Sequence, residues 1–279
     1  MQPDPIDPPF KLAPEVAKGG ECGASVSYPA DGHDTCYGVE DASFWFRHRN
    51  DCIAALVRRY PPPAGTALLD IGGGNGFVSQ RLLQEGHDVA LLEPGSAGAR
   101  NAQLRPGLPN VLCATLEDAG FAAGSFGAAG LFDVIEHVEN DRAFLLDVRE
   151  LLSPGGRLYL SVPCHSWLWS GADVQAGHHR RHTLGTLADL LGDGFRIEYA
   201  TYFFAPLVLP QFLLRALPYR LGRGRRNAVL SPETEHGTGD GPLVRAMERL
   251  LRPEVRRIAN GRQIRFGASA LLAATKSPD

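Results

Sequence analysis

The length, composition and charge of the chain exclude several classes of protein. With 279 residues, of which 44% are hydrophobic and 21% charged, it is long enough for one large α/β domain with elaborations and unlike a disordered or fibrous protein. A net charge of −3 gives no general attraction to polyanions, so we expect no nucleic-acid partner. The apolar run from Phe203 to Leu214 is broken by two prolines, so we expect no integral membrane segment. Peripheral membrane contact and the oligomeric state stay open.

The N-terminal segment and the cysteines bear on the location of the protein. Residues 1–20 are rich in proline and lack the basic and apolar parts of a signal peptide, so we predict a disordered tail. The five cysteines are odd in number and irregularly spaced, which is typical of reduced thiols. They are Cys22, Cys36, Cys52, Cys113 and Cys164. We therefore predict a cytoplasmic protein with reduced cysteines.

From Tyr60 onward, short apolar runs alternate with amphipathic stretches, which is typical of βα units. In chain order, the predicted elements are a strand over 67–71, a helix over 77–84, strands over 89–92, 111–113 and 128–132, a helix over 141–152, a strand over 157–162, a helix over 183–191, and strands over 195–204 and 268–275. We predict a Rossmann-like α/β fold, with a seven-stranded, mostly parallel sheet and helices on both faces.

Two segments fall outside this repeat. Residues 21–60 precede the predicted cofactor-binding core over 61–204, and residues 205–265 form an insertion between strands six and seven, with a helix near 243–258. The last strand lies within 266–279. We predict one domain over 21–279 in which both extra segments form a cap over the carboxyl edge of the sheet.

A glycine-rich segment, DIGGGNG from Asp70 to Gly76, lies between the first strand and its helix. Glycine lets a backbone turn tightly and approach a ligand. The spacing fits D-x-G-x-G-x-G, whereas a dinucleotide site needs glycine where Phe77 stands. Glu93 ends the second strand, where a carboxylate can accept hydrogen bonds from ribose hydroxyls. A plain glycine turn is the structural alternative, but two acids at successive strand ends favour a ligand site.

Four segments, LLDIGGGNGFVS, LLEPG, FDVIEHVEND and LLSPGGRLYLSVP, resemble the successive motifs of class I S-adenosylmethionine-dependent methyltransferases, especially the group that includes the ubiquinone O-methyltransferases. The resemblance covers about residues 64–204. It implies S-adenosylmethionine as cofactor, with the glycine loop beside its methionine part, Glu93 on its ribose and residues 115–117 beside its adenine. The implied cofactor-binding residues are Asp70, Gly72, Gly74, Gly76, Glu93, Pro94, Thr115, Leu116, Glu117, Phe132 and Asp133. The alternatives are a protein that binds the cofactor without transferring methyl groups and a nucleotide-dependent dehydrogenase, which the missing third glycine disfavours.

Acceptor candidates follow the fourth and fifth strands. His137 could act as a general base, although it could equally help to begin a helix. The loop from Cys164 to Thr183 is rich in Trp, His and Arg, and we expect it to line the acceptor site. The predicted catalytic residues are His137, His178 and His179. The predicted acceptor-binding residues are Trp45, His165, Trp167, Trp169, Arg180, Arg181 and Phe204.

Two alternatives concern the chemistry of this loop. Arg180 and Arg181 could anchor an anionic acceptor group, or they could pair with an acid such as Asp173 or Glu198 and fix the loop. A zinc site is disfavoured because two arginines lie among the candidate ligands Cys164, His165, His178 and His182, and the spacing of Cys22, His33 and Cys36 is irregular; we predict no metal. We expect a small metabolite or natural product as acceptor. A lipid-linked molecule is the alternative, since the apolar stretch over 202–217 could wall a pocket or lie on a membrane.

Overall fold

A computed structural model of the chain describes residues 32–108, 110–222 and 241–278. The predicted tail over 1–20, Cys22 and residues 223–240 of the insertion lie outside these ranges.

A seven-stranded sheet forms the centre of the protein, with the strand order β3-β2-β1-β4-β5-β7-β6. Its strands are β1 Leu68–Ile71, β2 Val89–Leu92, β3 Val111–Leu112, β4 Phe126–Phe132, β5 Leu152–Pro163, β6 Phe195–Phe203 and β7 Ser269–Lys276. The pairs from β3 to β5 are parallel, and β7 lies antiparallel between β5 and β6. The predicted Rossmann-like α/β fold and mostly parallel sheet are confirmed.

The helices connect and cover these strands. They are α1 Gly32–Tyr37, α2 Phe44–Arg59, α3 Phe77–Gln84, α4 Ser96–Leu104, α5 Asp141–Leu151, α6 Gly171–Ala176, α7 Leu184–Leu191, α8 Val208–Gln211, α9 Leu217–Arg220 and α10 Pro242–Ala259. A π-helical turn, Phe212–Ala216, joins α8 to α9. Short 3-10 turns lie at Ile135–His137, Ser166–Leu168, Gly192–Gly194 and Ala205–Leu207. Within the described ranges, every helix is too short or too polar to cross a bilayer.

Alternating side chains bury the two faces of the sheet under different helices. On β1, Leu69 packs into the cluster that contains Leu145 of α5 and Leu187 of α7. Its neighbour Leu68 packs into the opposite cluster, with Leu56 of α2 and residues of α3 and α10. This alternation follows from the two-residue period of a strand, and it places helices on both faces, as predicted.

Strand β5 departs from its predicted start. The sequence Ser153-Pro154-Gly155-Gly156 predicts a turn before a strand at Arg157, but β5 begins at Leu152, directly after α5. Leu152 pairs with Phe126, and the register shifts before Ala128 pairs with Arg157. The turn residues therefore form an irregularity inside β5, because Leu152 before them and Arg157 after them both pair with β4.

The described cysteines bear on the sequence prediction. Three of the five, Cys36, Cys52 and Cys164, are present as thiols, in line with the prediction of reduced cysteines.

Helix α2 and the β6–β7 insertion are joined by a buried carboxylate, that of Glu254. His48 of α2 lies 2.9 Å from Glu254 of α10. The same Glu254 carboxylate accepts hydrogen bonds from the backbone N–H groups of Phe204 and Ala205, both at 2.8 Å. Helix α10 therefore fixes the end of β6 and the start of the insertion against α2.

Candidate active site

The glycine loop after β1 has the backbone conformation that its spacing predicts. Gly72, Gly74 and Gly76 all have positive φ, at 67°, 53° and 75°. A Cβ on Gly72 would also lie 2.9 Å from a methyl group of Val134, so a larger residue is excluded there by both conformation and space. Gly76 begins α3. The loop thus exposes backbone rather than side chains at the carboxyl end of β1.

Asp70 is buried at the end of β1 with half of its carboxylate unsatisfied. Ser79 Oγ donates to Asp70 Oδ2 at 2.5 Å, while Oδ1 has no hydrogen-bond partner among the described residues. Burial raises the pKa of Asp70 from 3.8 to about 6, against the opposing effects of Ser79 and the Arg49 charge. A buried acceptor oxygen without a donor is costly, so Asp70 is suited to a ligand that brings a donor or a positive charge.

Glu93, at the end of β2, holds the glycine loop and the following turn. Gly74 N donates to Glu93 Oε2 at 2.9 Å, and Gly95 N donates to Oε1 at 2.7 Å. His33 of α1 lies over this carboxylate, with its Nε2 3.5 Å from Oε1. A Cβ on Gly95 would lie 3.1 Å from the same ring nitrogen. The side chain of His33 therefore covers the acid predicted to bind ribose.

Helix α1 is tied to the glycine loop by a buried polar network. The Asn75 amide donates to the backbone oxygen of His33 at 2.8 Å and to Glu40 at 3.0 Å. Arg105 donates to Glu40 at 2.6 Å and to the backbone oxygen of Asn75 at 2.6 Å. The position of His33 is therefore set by several long-range contacts.

The end of β4 carries a second acid in a constrained conformation. Asp133 has φ 59°, which is unfavourable for a residue with a side chain. Arg49 Nε donates to its Oδ2 at 2.5 Å, Ser161 Oγ donates to Oδ1 at 3.1 Å, and Arg49 also donates to the carbonyl of Phe132. These contacts from α2 and β5 hold Asp133 at the carboxyl edge of the sheet.

Three ionisable side chains gather beside Asp133. The ligand atoms of Glu136, His137 and His178 lie within 4.8 Å of one another, and the two imidazole rings meet edge to face at 4.7 Å. Burial, followed by the nearby charge of Asp133, raises the pKa of Glu136 well above its usual value. Burial and the neighbouring His178 lower the pKa of His137 to about 4. His137 is therefore a neutral proton acceptor at pH 7. The ligand atoms of the cluster could also hold a cation.

His178 is oriented by a buried carboxylate. Its Nδ1 lies 3.0 Å from Asp173 Oδ1, and Arg181 makes a two-pronged contact with Asp173 at 2.6 and 3.0 Å. Burial alone would raise the pKa of Asp173, but hydrogen bonds from His178 and Arg181 outweigh it and lower the pKa to about 2. Because an ionised carboxylate only accepts hydrogen bonds, His178 carries a proton on Nδ1, and in the neutral ring Nε2 is then the acceptor.

Both arginines of the loop after β5 pair with acids of the protein. Arg181 binds Asp173 and the carbonyl of Cys164, while Arg180 donates to Asp141 and to the carbonyl of Glu139, both at 2.6 Å. Glu198 instead binds Arg196. These contacts correspond to the alternative in which the arginines fix the loop. Both guanidinium groups are already bound to groups of the protein, with no methyl acceptor present.

An aromatic group lies where β5 and β6 end. His165, at φ 63°, stacks on Trp167 at 5.5 Å and on Tyr202 at 5.2 Å. Phe212 of the insertion meets Trp167 at 5.6 Å. Phe266 stacks on Trp167 at 6.1 Å and lies tilted against His165 at 5.2 Å. Of the predicted acceptor residues, the structure brings His165 and Trp167 together, with Trp169 two residues further along the half-buried loop.

The remaining predicted residues occupy varied surroundings. Trp45 stacks on the buried Phe204 at 5.3 Å and lies beside Arg49. The His179 side chain is exposed. The segment predicted to flank adenine is a turn in which Thr115 Oγ1 binds Asp118, Leu116 is partly buried and Glu117 is exposed. Pro94 lies in the turn between Glu93 and α4, and Phe132 is buried beside Asp133.

Sequence reasoning missed Arg49, which reaches Asp133 from α2, and it considered His33, which reaches Glu93 from α1, only for a disfavoured metal site. It also missed Ser79, which donates a hydrogen bond to Asp70, and Ser161, which donates one to Asp133. Arg49 lies 84 residues before the acid it binds, and no local pattern marks such a pair.

Comparison with known proteins gives consistent matches. A family model described as a methyltransferase domain matches residues 45–202. A ubiquinone biosynthesis O-methyltransferase from Xanthomonas axonopodis pv. citri is 33% identical over 105 residues, which cover 36% of this chain and 44% of the relative. The chain spans about half the length of the first curated relatives that it matches.

Two solved structures show the same fold at low identity. One is the complex between the Haloferax volcanii Trm112 methyltransferase activator and a putative methyltransferase, with a TM-score of 0.54, 18% identity, and coverage of 89% of this chain and 96% of that chain. The other is the cyclase SpnF, with a TM-score of 0.52, 18% identity, and coverage of 95% and 91%. At this identity the likeness concerns the fold alone.

Proposed function

Because this chain belongs to the methyltransferase domain family, as the sequence motifs predict, we propose that it transfers a methyl group from S-adenosylmethionine to a small-molecule acceptor. The observation that carries this proposal is the pairing of the positive-φ glycine loop with two buried strand-end acids, Asp70 and Glu93. This arrangement does not require a ligand with a phosphate group. The two acids suit a cofactor that carries cationic groups and a ribose.

The cofactor is proposed to lie along the ends of β1, β2 and β4. The unsatisfied Asp70 Oδ1 would accept a hydrogen bond from the ammonium group of the methionine part, directly or through water. Gly72, Gly74 and Gly76 would let that part approach the backbone. Glu93 would bind the ribose hydroxyls once His33 moves from its carboxylate, and residues 115–117 would flank the adenine.

The reaction that fits this site is an in-line displacement at the methyl carbon. A lone pair of the acceptor forms a bond to that carbon, the carbon–sulfur bond breaks, and its electron pair stays on sulfur, which converts the sulfonium to a thioether. The acceptor's proton leaves to a base. Holding the acceptor in line with the methyl group supplies much of the rate enhancement.

His178 is our first candidate for the base. Asp173 fixes its tautomer, as a carboxylate does in other nucleophile–base pairs, and leaves Nε2 ready to accept a proton. His137 lies against it, and a pKa of about 4 keeps His137 neutral at pH 7. His179 is a weaker candidate because its side chain points to solvent.

The acceptor is proposed to bind against the aromatic group of His165, Trp167 and Tyr202. Flat aromatic walls favour an apolar or aromatic acceptor. A small metabolite or natural product fits this description, and a lipid-linked molecule is the alternative. An anionic acceptor group would need a cation other than Arg180 or Arg181, or a rearrangement of their ion pairs.

Calorimetry and turnover assays test the proposal at separate steps. S-adenosylhomocysteine should bind and NAD should not, which distinguishes the cofactor class. With labelled S-adenosylmethionine and candidate acceptor extracts, the parent chain should label a product. Cofactor binding without any labelled product would favour a non-catalytic protein.

The three histidines can then be compared as matched variants. His178→Gln should lower turnover by about 10²-fold or more while S-adenosylhomocysteine affinity stays unchanged, and His179→Gln should behave like the parent chain. The opposite order would move the base to His179. A loss confined to His137→Gln would move it to His137.

A cytoplasmic location is also only proposed. The thiols of Cys36, Cys52 and Cys164 fit a reducing compartment. Fractionation of the native protein tests this location.

A further inference from the structure

The helix that follows β6 carries an outward row of leucines. Val208, Phe212 and Ala216 recur every four residues and pack inward. The next positions, 209, 213, 217 and 221, are all leucine. Leu209, Leu213 and Leu221 are 64, 48 and 60% exposed, and Leu214 beside them is 76% exposed. Four exposed leucines on one short helix form an apolar patch that water does not stabilise.

Helix α10 of the same insertion carries an outward row of arginines. Arg245, Arg249, Arg252 and Arg256 are spaced four, three and four residues apart, which places them on one helix face, and all four are exposed. None forms an ion pair with an acid among the described residues. The two acids of α10 point elsewhere, since Glu248 binds Arg47 and Glu254 binds His48.

The two rows lie on helices that cover the same face of the sheet. The inner sides of both helices pack into a single buried cluster that includes Val208, Leu251 and Ile258. Between Tyr199 and Pro232 the sequence holds no Asp or Glu, so the leucine row has no acidic flank. A protein with a net charge of −3 thus concentrates apolar and basic side chains in one insertion.

We propose that this insertion docks the protein on an anionic lipid surface. Leucines that enter the interfacial region and arginines that meet lipid phosphates are the two contributions that hold a peripheral helix on a bilayer. A nucleic acid would engage the arginines but leave the leucine row exposed. A second copy of the chain would set one arginine row against another across a twofold axis, which is unfavourable.

Docking would place the proposed acceptor site at the membrane surface. Phe212 lies on the same helix as the leucine row and contacts Trp167 of the aromatic group. An amphiphilic acceptor could therefore reach the site from the bilayer. The docking itself is independent of the proposed methyl transfer, and its test measures binding rather than turnover.

Vesicle flotation with the full chain tests the proposal. The parent chain should float with vesicles of phosphatidylcholine and phosphatidylglycerol in equal amounts, bind pure phosphatidylcholine weakly, and dissociate at high salt. Arg249→Gln/Arg252→Gln should lower partitioning by about 25-fold, since each arginine near an anionic surface contributes about 5-fold. Leu213→Ser/Leu214→Ser should lower it by about 10-fold.

Matched controls use exposed residues outside the insertion. Arg100→Gln/Arg142→Gln and Leu104→Ser/Leu146→Ser should leave partitioning unchanged. The proposal is overturned if the parent chain does not bind the mixed vesicles, or if the controls reduce binding as much as the insertion variants. Binding to a single-stranded oligonucleotide without vesicle binding would assign the arginines to nucleic acid. A dimer that Leu213→Ser/Leu214→Ser dissociates, again without vesicle binding, would assign the leucines to a second copy.

Discussion

Asp70 should make cofactor binding depend on pH around its own raised pKa. Its pKa of about 6 in the free protein arises chiefly from burial. The ammonium group of the cofactor prefers the carboxylate, so binding below that pH must first remove a proton. We expect the affinity for S-adenosylhomocysteine to fall about tenfold for each pH unit below 6.

The variant Asp70→Asn separates this titration from others. It should bind S-adenosylhomocysteine about 10- to 100-fold more weakly than the parent at neutral pH, since a charge-assisted hydrogen bond contributes about 1.5 to 3 kcal/mol. Its affinity should lack the steep fall below pH 6. Below pH 6, calorimetry in two buffers of different ionisation enthalpy should show that the parent releases a proton when it binds S-adenosylhomocysteine. The variant should release none.

Without cofactor, the raised pKa of Asp70 makes the folded protein less stable as the pH rises. A raised pKa means that the folded protein holds the proton more tightly than the unfolded chain does. The stabilising contribution is therefore complete below about pH 4 and is lost as the pH rises through 6, by about 3 kcal/mol in total. Asp70→Asn should be more stable than the parent at neutral pH in urea unfolding, and similar near pH 4. Parallel stability profiles for the two proteins would refute the reasoning.

Three further substitutions test the neighbouring contacts. His33→Ala should bind S-adenosylhomocysteine several-fold more tightly by calorimetry, because the ring covers the ribose-binding acid; weaker binding would make His33 a cofactor contact instead. Glu93→Gln should lose about 2 kcal/mol of the same affinity while the circular dichroism spectrum is retained, and unchanged affinity would remove Glu93 from the site. Arg181→Lys should lower the melting temperature because the two-pronged bond to Asp173 is lost. A higher acceptor KM at unchanged melting temperature would restore the acceptor-anchoring role of Arg181.

The parts of the site predicted from sequence are those encoded by local turns. The spacing of Gly72, Gly74 and Gly76 reports three positive-φ positions directly, because other residues strain there. Glu93 was recognisable because a short apolar strand ends at it and a Pro-Gly turn follows. The mostly parallel sheet followed from the alternating βα units of the sequence.

The parts that sequence could not predict depend on distant pairing. Arg180 and Arg181 stand side by side, yet one binds Asp141 and the other Asp173, on different helices. Only the folded loop decides between those acids and an acceptor. The extended β5 shows the same limit, since pairing of Leu152 with Phe126 overrides a proline and two glycines that favour a turn.

The N-terminal helices connect the cofactor and acceptor parts of the site, so the predicted cap cannot act independently of the cofactor. Helix α1 places His33 on Glu93, the acid proposed to bind ribose, while α2 places Arg49 on Asp133 and Trp45 on Phe204. Removing residues 1–50 would withdraw all of these contacts at once and leave the half-buried Asp133 without its cation. Such a deletion therefore cannot separate capping of the acceptor site from binding of the cofactor, because the same two helices carry both.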